Sequence, residues 1–191
     1  MAYLHNYLTE LSIGDNQDLE KVFNLALSQV FSKTYLDKIE STLEKKINIK
    51  EKVNNNQNIV AWTEGTTIYV NRPEFYARDM RSRMKYILHE FIHVLNNSKS
   101  FIMLNKFKEI NDLSTELWEI IKTHTKDIGK FLTGKTISKS LLNNQESLSY
   151  LMNDSIDWRQ ITPEGKVLFI KALKDSGVFN IQHMFWKKRL D

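Results

Sequence analysis

The chain has 191 residues, 41% of them hydrophobic and 11% aromatic, a composition that supports a packed core and excludes a disordered tail. Its 27 basic and 23 acidic residues leave a formal net charge of +4, so an anionic partner is allowed and not required. With no cysteine, disulfides and thiolate ligands are excluded, and any metal must be held by His, Asp or Glu.

From Met1 to Asp15 there is no basic segment followed by an apolar run, and no apolar stretch anywhere is long enough to span a bilayer. A cytoplasmic protein without a membrane partner is therefore expected. Asp15 or Asn16 can cap a helix that runs to about Ser32, with Leu19, Val22, Phe23, Leu25, Ala26 and Val30 as its inward stripe. Tyr35 to Lys46 reads as a second helix, with Leu36, Ile39 and Leu43 inward. The period then changes. Ile47, Ile49 and Val53 alternate with charged residues, and Asn54-Asn55-Asn56-Gln57 marks a turn. Two strands follow, Asn58 to Trp62 and Thr66 to Asn71, as a hairpin turning through Glu64-Gly65.

Pro73 closes the sheet segment and can open a helix. From about Asp79 to Asn97 the 3.6-residue period returns, and Met84, Ile87, Leu88, Phe91, Val94 and Leu95 make a broad apolar surface that predicts a central, buried helix. Helices are then expected over Leu104 to Asp112, Ser114 to Leu132, Asn144 to Asn153, Pro163 to Ser176 and Asn180 to Leu190. Ser114 and Thr162-Pro163-Glu164 read as starts and Gly177 as a stop. No linker divides the chain. The expectation is one helix-rich α+β domain over residues 1–191: N-terminal helices at 1–46, a small antiparallel sheet packed on the central helix at 47–97, and a helical half at 98–191.

The chemistry sits on the central helix. His89 and His93 are four residues apart, so both project from one face a single turn apart and can converge on one ion at the ~2.0–2.1 Å that zinc needs. Glu90 is rotated about 100° from His89, beside the metal without having to bind it. A carboxylate there can take a proton from an attacking water and pass it to a leaving amine. This is the H-E-x-x-H arrangement of zinc-dependent hydrolysis. In an apolar helix such a group needs partners to satisfy it, which raises the weight of the pattern.

Gly65-Thr66-Thr67-Ile68-Tyr69-Val70-Asn71, then Pro73 and a helix bearing His89-Glu90-Phe91-Ile92-His93, resembles the core of the zincin metallopeptidases. The resemblance covers about Ile47 to Asn97 and extends more weakly to Asp154. It implies a zincin-like domain, a Zn2+ cofactor, Glu90 as the general base, and a protein or peptide substrate bound in extended form against a sheet edge. Where the metzincin branch requires glycine and histidine, Asn96 and Lys99 stand, which leaves the gluzincin arrangement with a glutamate from a later helix as third ligand. The segment Asn144 to Met152 is similar to the short glutamate-bearing helix of minimal gluzincins, and its acid is Glu146. Glu116 and Glu119 remain alternatives, since their helix can also pass beneath the metal.

Tyr150, one turn beyond Glu146, can aim a hydroxyl at a developing oxyanion, and Asp154 or Asp157 can orient a ligand histidine. His124 reads as a solvent-facing helical histidine rather than a ligand, His5 and His183 are expected to carry no catalysis, and Trp118, Trp158 and Trp186 to pack. Lys187-Lys188-Arg189 suits the end of a helix, and no basic stripe with interleaved aromatics points to specific nucleic-acid binding. A second expectation is a zincin-derived structural protein, such as a phage virion component in a larger assembly, that keeps the fold while its surface binds another protein.

Overall fold

The structure is a computed structural model, and it describes residues 17–43, 48–96, 105–138, 142–153 and 155–181. The caps Asp15 and Asn16, the residues His5, Asp154, His183 and Trp186, and all but the first two residues of the helix expected over Asn180 to Leu190 lie outside these residues; Asn180 and Ile181 are not helical.

The first elements among the described residues are two helices, α1 (Gln17–Val30) and α2 (Lys33–Leu43). Leu19, Val22, Phe23, Ala26 and Val30 are buried as their spacing predicts, but Leu25 is 37% exposed and Leu27 takes the inward position. The step of about 100° per residue explains the exchange: Leu27 stacks one turn beyond Phe23, whereas Leu25 points to the opposite side.

Three strands follow, β1 (Asn48–Lys52), β2 (Ala61–Glu64) and β3 (Thr67–Asn71), in the sheet order β1-β3-β2. β2 and β3 form the expected hairpin, which reverses at Gly65 with φ 64°, a left-handed conformation that glycine adopts without steric penalty. The expectation of an antiparallel sheet is corrected at β1. This strand runs parallel to β3, from Asn48 opposite Thr67 to Lys52 opposite Asn71, so the sheet is mixed. The reason lies in the Asn-rich stretch, which is a crossing and not a tight turn. It carries the chain past the end of β3 to that strand's far edge before β2 begins.

The fully buried Asn71 pins the crossing. Its Nδ2 donates to the carbonyls of Asn54 at 3.1 Å and Ile59 at 2.8 Å, and its Oδ1 accepts the Asn54 N–H at 2.9 Å. All three bonds are made in the core, where an unpaired amide would be costly.

After the short helix α3 (Arg72–Tyr76), with Pro73 in its first turn, comes the central helix α4 (Met80–Leu95). Asp79 caps it by accepting the Ser82 N–H at 2.9 Å. Met84, Ile87, Leu88, Phe91, Val94 and Leu95 are buried as predicted. The Phe91 ring meets Phe23 edge-on at 5.3 Å and Phe31 at 5.9 Å, which locks α4 onto α1.

The second half contains α5 (Lys108–His124), α6 (Ile128–Thr133), α7 (Asn144–Met152), a 3-10 turn (Trp158–Gln160) and α8 (Pro163–Asp175). Ser114, expected to start a helix, lies inside α5 and is fully buried. The break comes instead after His124, where Thr125 is extended and bridges to Ile161, and Asp127 caps α6 through the Lys130 N–H. Thr162 caps α8 as predicted. Its neighbour Gly165 lies so close to α5 that a Cβ there would stand 2.3 Å from the His124 Cβ, so glycine is what allows the two helices to meet. Trp158 packs edge-on between Phe131 and Phe169. Among the described residues no helix is long and apolar enough to cross a membrane.

Candidate metal centre

The site forms where α4, α7 and the edge strand β2 come together. α4 has helical spacing throughout, so His89 and His93 fall on one side of it, away from the face that Phe91 buries against α1. Their Nε2 atoms lie 3.1 Å apart.

The other nitrogen of His89 settles its tautomer. Nδ1 lies 2.9 Å from the Ser149 carbonyl, an acceptor only, so Nδ1 carries the proton and Nε2 presents a lone pair to His93. Ligand histidines are commonly oriented in this way. Sequence reasoning looked to Asp154 or Asp157 for this role. Asp157 instead caps the 3-10 turn and pairs with Arg159 at 2.8 Å, and Asp154 lies outside the described residues. A backbone carbonyl carries no side-chain signature, so no pattern in the sequence could have named Ser149.

α7 supplies the third group. Asn143 caps this helix by accepting the N–H of Gln145 at 2.9 Å and that of Glu146 at 3.3 Å, which sets Glu146 in the first turn. Its Oε2 lies 3.7 Å from the His93 Nε2. The donor atoms of His89, His93 and Glu146 all lie within 4.8 Å of one another. Ligands about 2.0–2.1 Å from a tetrahedral ion stand roughly 3.3–3.4 Å apart, so separations of 3.1 and 3.7 Å bracket the spacing a metal requires. These three residues fit a metal ion. Glu116 and Glu119 stand on the exposed face of α5, Glu119 paired with Lys122 at 2.6 Å, and neither belongs to the group.

Glu90 is held apart from that trio. Thr63, on the inward face of β2, donates its hydroxyl to Glu90 Oε2 at 2.8 Å, with the Glu90 carbonyl oxygen at 3.2 Å. Sequence reasoning missed Thr63. The available signal was a hydroxyl at the core-facing position of a strand, between the outward Trp62 and Glu64. Tyr150 packs its ring edge-on against His89, with centroids 5.2 Å apart, and is half-buried beside the centre. His124 is half-buried at the α5–α8 contact, its Nδ1 3.2 Å from Thr162 Oγ1, and takes no part in the group.

The electrostatics follow from this geometry. Burial pulls His89 down to about 3, aided by the neighbouring His93 and opposed by the bond to the Ser149 carbonyl. Burial also takes His93 down to about 4. Both rings are therefore neutral and ready to donate lone pairs at physiological pH. Burial pushes Glu90 up to about 7, with Glu146 raising it further and the Thr63 hydroxyl opposing. Glu146 is raised by burial, and Tyr150 is raised by burial and by the charges of Glu146 and Glu90. Two carboxylates and two neutral imidazoles thus face one another, an arrangement that a divalent ion would neutralise.

Comparison of the chain with protein-family models, with curated proteins and with solved structures finds no match.

Proposed function

We propose that this chain is a zinc-dependent metallopeptidase of the zincin kind, which hydrolyses peptide bonds with His89, His93 and Glu146 as metal ligands and Glu90 as general base. The observation that carries this reading is the convergence of three donor atoms within 4.8 Å beside a separate carboxylate tethered by Thr63. Zinc suits a donor set of two imidazoles and one carboxylate, and when bound it lowers the pKa of water toward ~7 and polarises a carbonyl.

The remaining work falls to the chain's own groups. Glu90, held beside the ligands by Thr63, takes the proton of the water that attacks the scissile carbonyl carbon. It then returns that proton to the amine nitrogen as the C–N bond breaks. The Thr63 hydroxyl occupies Oε2 of Glu90, which leaves Oε1 for the proton. Tyr150, beside His89, offers a hydroxyl donor to the oxyanion. Among the described residues β2 pairs with β3 on one side only, so an extended peptide laid along its other edge would run beside Glu90. That edge supports a protein or peptide substrate.

The test is a mass-spectrometric cleavage screen on a peptide library, run with metal analysis of the same samples. The parent is expected to carry one zinc per chain and to cut. Glu90→Gln should keep the zinc and lose at least about 10²-fold in rate. Equal cleavage by the variant and the parent would sink the mechanism.

A further inference from the structure

Five polar residues are fully buried among the described residues: Asn71, Asn96, Ser114, Ser147 and Ser149. Asn71 serves the sheet crossing. The other four all lie at one junction, where α4, α5 and α7 meet, directly behind the candidate metal centre. Buried polar groups are unfavourable unless they are bonded, and a hydrocarbon core would pack without them. Their concentration at this junction calls for a reason.

Bonds through these residues link α4 to α5, α5 to α7 and α7 back to α4, while the Ser149 hydroxyl bonds within its own helix to the Gln145 carbonyl at 3.2 Å. Asn96, three residues beyond His93, donates from Nδ2 to the Ser114 Oγ on α5 at 3.0 Å. The Ser147 hydroxyl, next to Glu146 on α7, lies 3.1 Å from the Ser114 carbonyl and 2.7 Å from the Asn144 carbonyl. The Ser149 carbonyl then accepts from His89, which leads back to α4. Directional bonds in a dry interior add to the register that interdigitated apolar packing already sets, because a shift of either helix would leave buried polar groups unpaired. The register fixed here decides where Glu146 stands relative to the two histidines.

We infer that the chain Asn96–Ser114–Ser147 is a positioning device for the metal centre, through which α5, a helix that contributes no ligand, sets the affinity of the site for its ion. This rests on the reading of His89, His93 and Glu146 as ligands. Ser114 is the pivot, since its hydroxyl faces α4 and its carbonyl faces α7. It touches no ligand and acts only through Asn96 and Ser147.

The experiment measures zinc affinity of the full chain by competition with a chromophoric chelator. It is paired with the visible absorption of the cobalt(II)-loaded protein and with thermal unfolding of the metal-free form. Ser114→Ala is expected to bind zinc about 10–100-fold more weakly and to alter the cobalt bands. That variant also orphans the Asn96 amide, so a double variant, Asn96→Leu with Ser114→Ala, separates register from general stability. It should regain stability in the metal-free form and still bind zinc weakly. If Ser114→Ala binds as the parent does, or if the double variant recovers affinity together with stability, the positioning role is overturned while the metal centre stands. If the parent itself binds no zinc, or if His89→Ala binds as well as the parent, the metal-centre reading falls and takes this inference with it.

Discussion

The two sides of α4 belong to the same helix and live in different solvents. On one side Phe91 stacks edge-on with Phe23 and Phe31 in a hydrocarbon core. On the other, His89, Glu90 and His93 sit half-buried among Glu146, Thr63 and the Ser149 carbonyl. The apolar side is held by contacts that any ring of the right volume could partly supply. The polar side is held by directional bonds, and its donor atoms are grouped closely enough to hold a metal ion. The contrast teaches that stability and chemistry are divided by helix face, so that substitutions on one side should leave the other side's readout intact.

The largest expected break is Phe91→Ala, which opens a cavity on the apolar side and should lower unfolding free energy by about 3–5 kcal/mol in a denaturant titration. If the division holds, the folded variant still binds one equivalent of zinc. His93→Ala attacks the other face. The parent at a free zinc concentration of 100 times its dissociation constant should gain about 2.7 kcal/mol over the metal-free form, and the variant should gain almost none of it. Differential scanning calorimetry with and without chelator reads both values. An unchanged gain in the variant would place the ion elsewhere.

A smaller effect sharpens the ionisation side of the contrast. Glu90 is raised to about 7 in the fold, so it favours the protonated form, and the stability this gives is present below about pH 4.5 and lost as pH rises through 7. Glu90→Gln removes that loss. Metal-free Glu90→Gln should therefore gain on the parent by about 1–2 kcal/mol between pH 5 and pH 8, after allowing for solvent screening of a half-buried group. The histidines act with the opposite sign. Their lowered values, about 3 and 4, give stability that is present above about pH 6.5 and lost as pH falls toward them. That term is common to both proteins and cancels in the difference. A gap that stayed flat with pH would mean that Glu90 is ordinary. The smallest effect is a control: Glu116→Gln, on the exposed face of α5, should change zinc affinity and stability by less than about 0.5 kcal/mol.

Much of this was legible in the residues because it is local. The caps Asp79 and Thr162, the apolar period of α4, the β2–β3 hairpin and the i, i+4 spacing of the histidines involve neighbours within a few positions. Glu146 was singled out by the likeness of its segment to a glutamate-bearing helix, with Glu116 and Glu119 left open because nothing local separates the three acids. The misreadings share a cause. Ser114 looks like a cap and is a buried interior residue, and β1 looks antiparallel and is parallel. In each case a distant partner, Asn96 for the serine and β3 for the strand, overrides the nearby pattern.

The residue order by itself determined most of the elements and placed two imidazoles and a carboxylate on one helical turn, because helical geometry repeats every few residues and needs no distant contact. Only the tertiary structure decided which glutamate meets them, that a backbone carbonyl fixes the His89 tautomer, and that Thr63 restrains Glu90. Those choices depend on how helices and strands far apart in sequence settle their register in the core, where burial makes every unpaired polar group unfavourable and leaves few arrangements that satisfy them all.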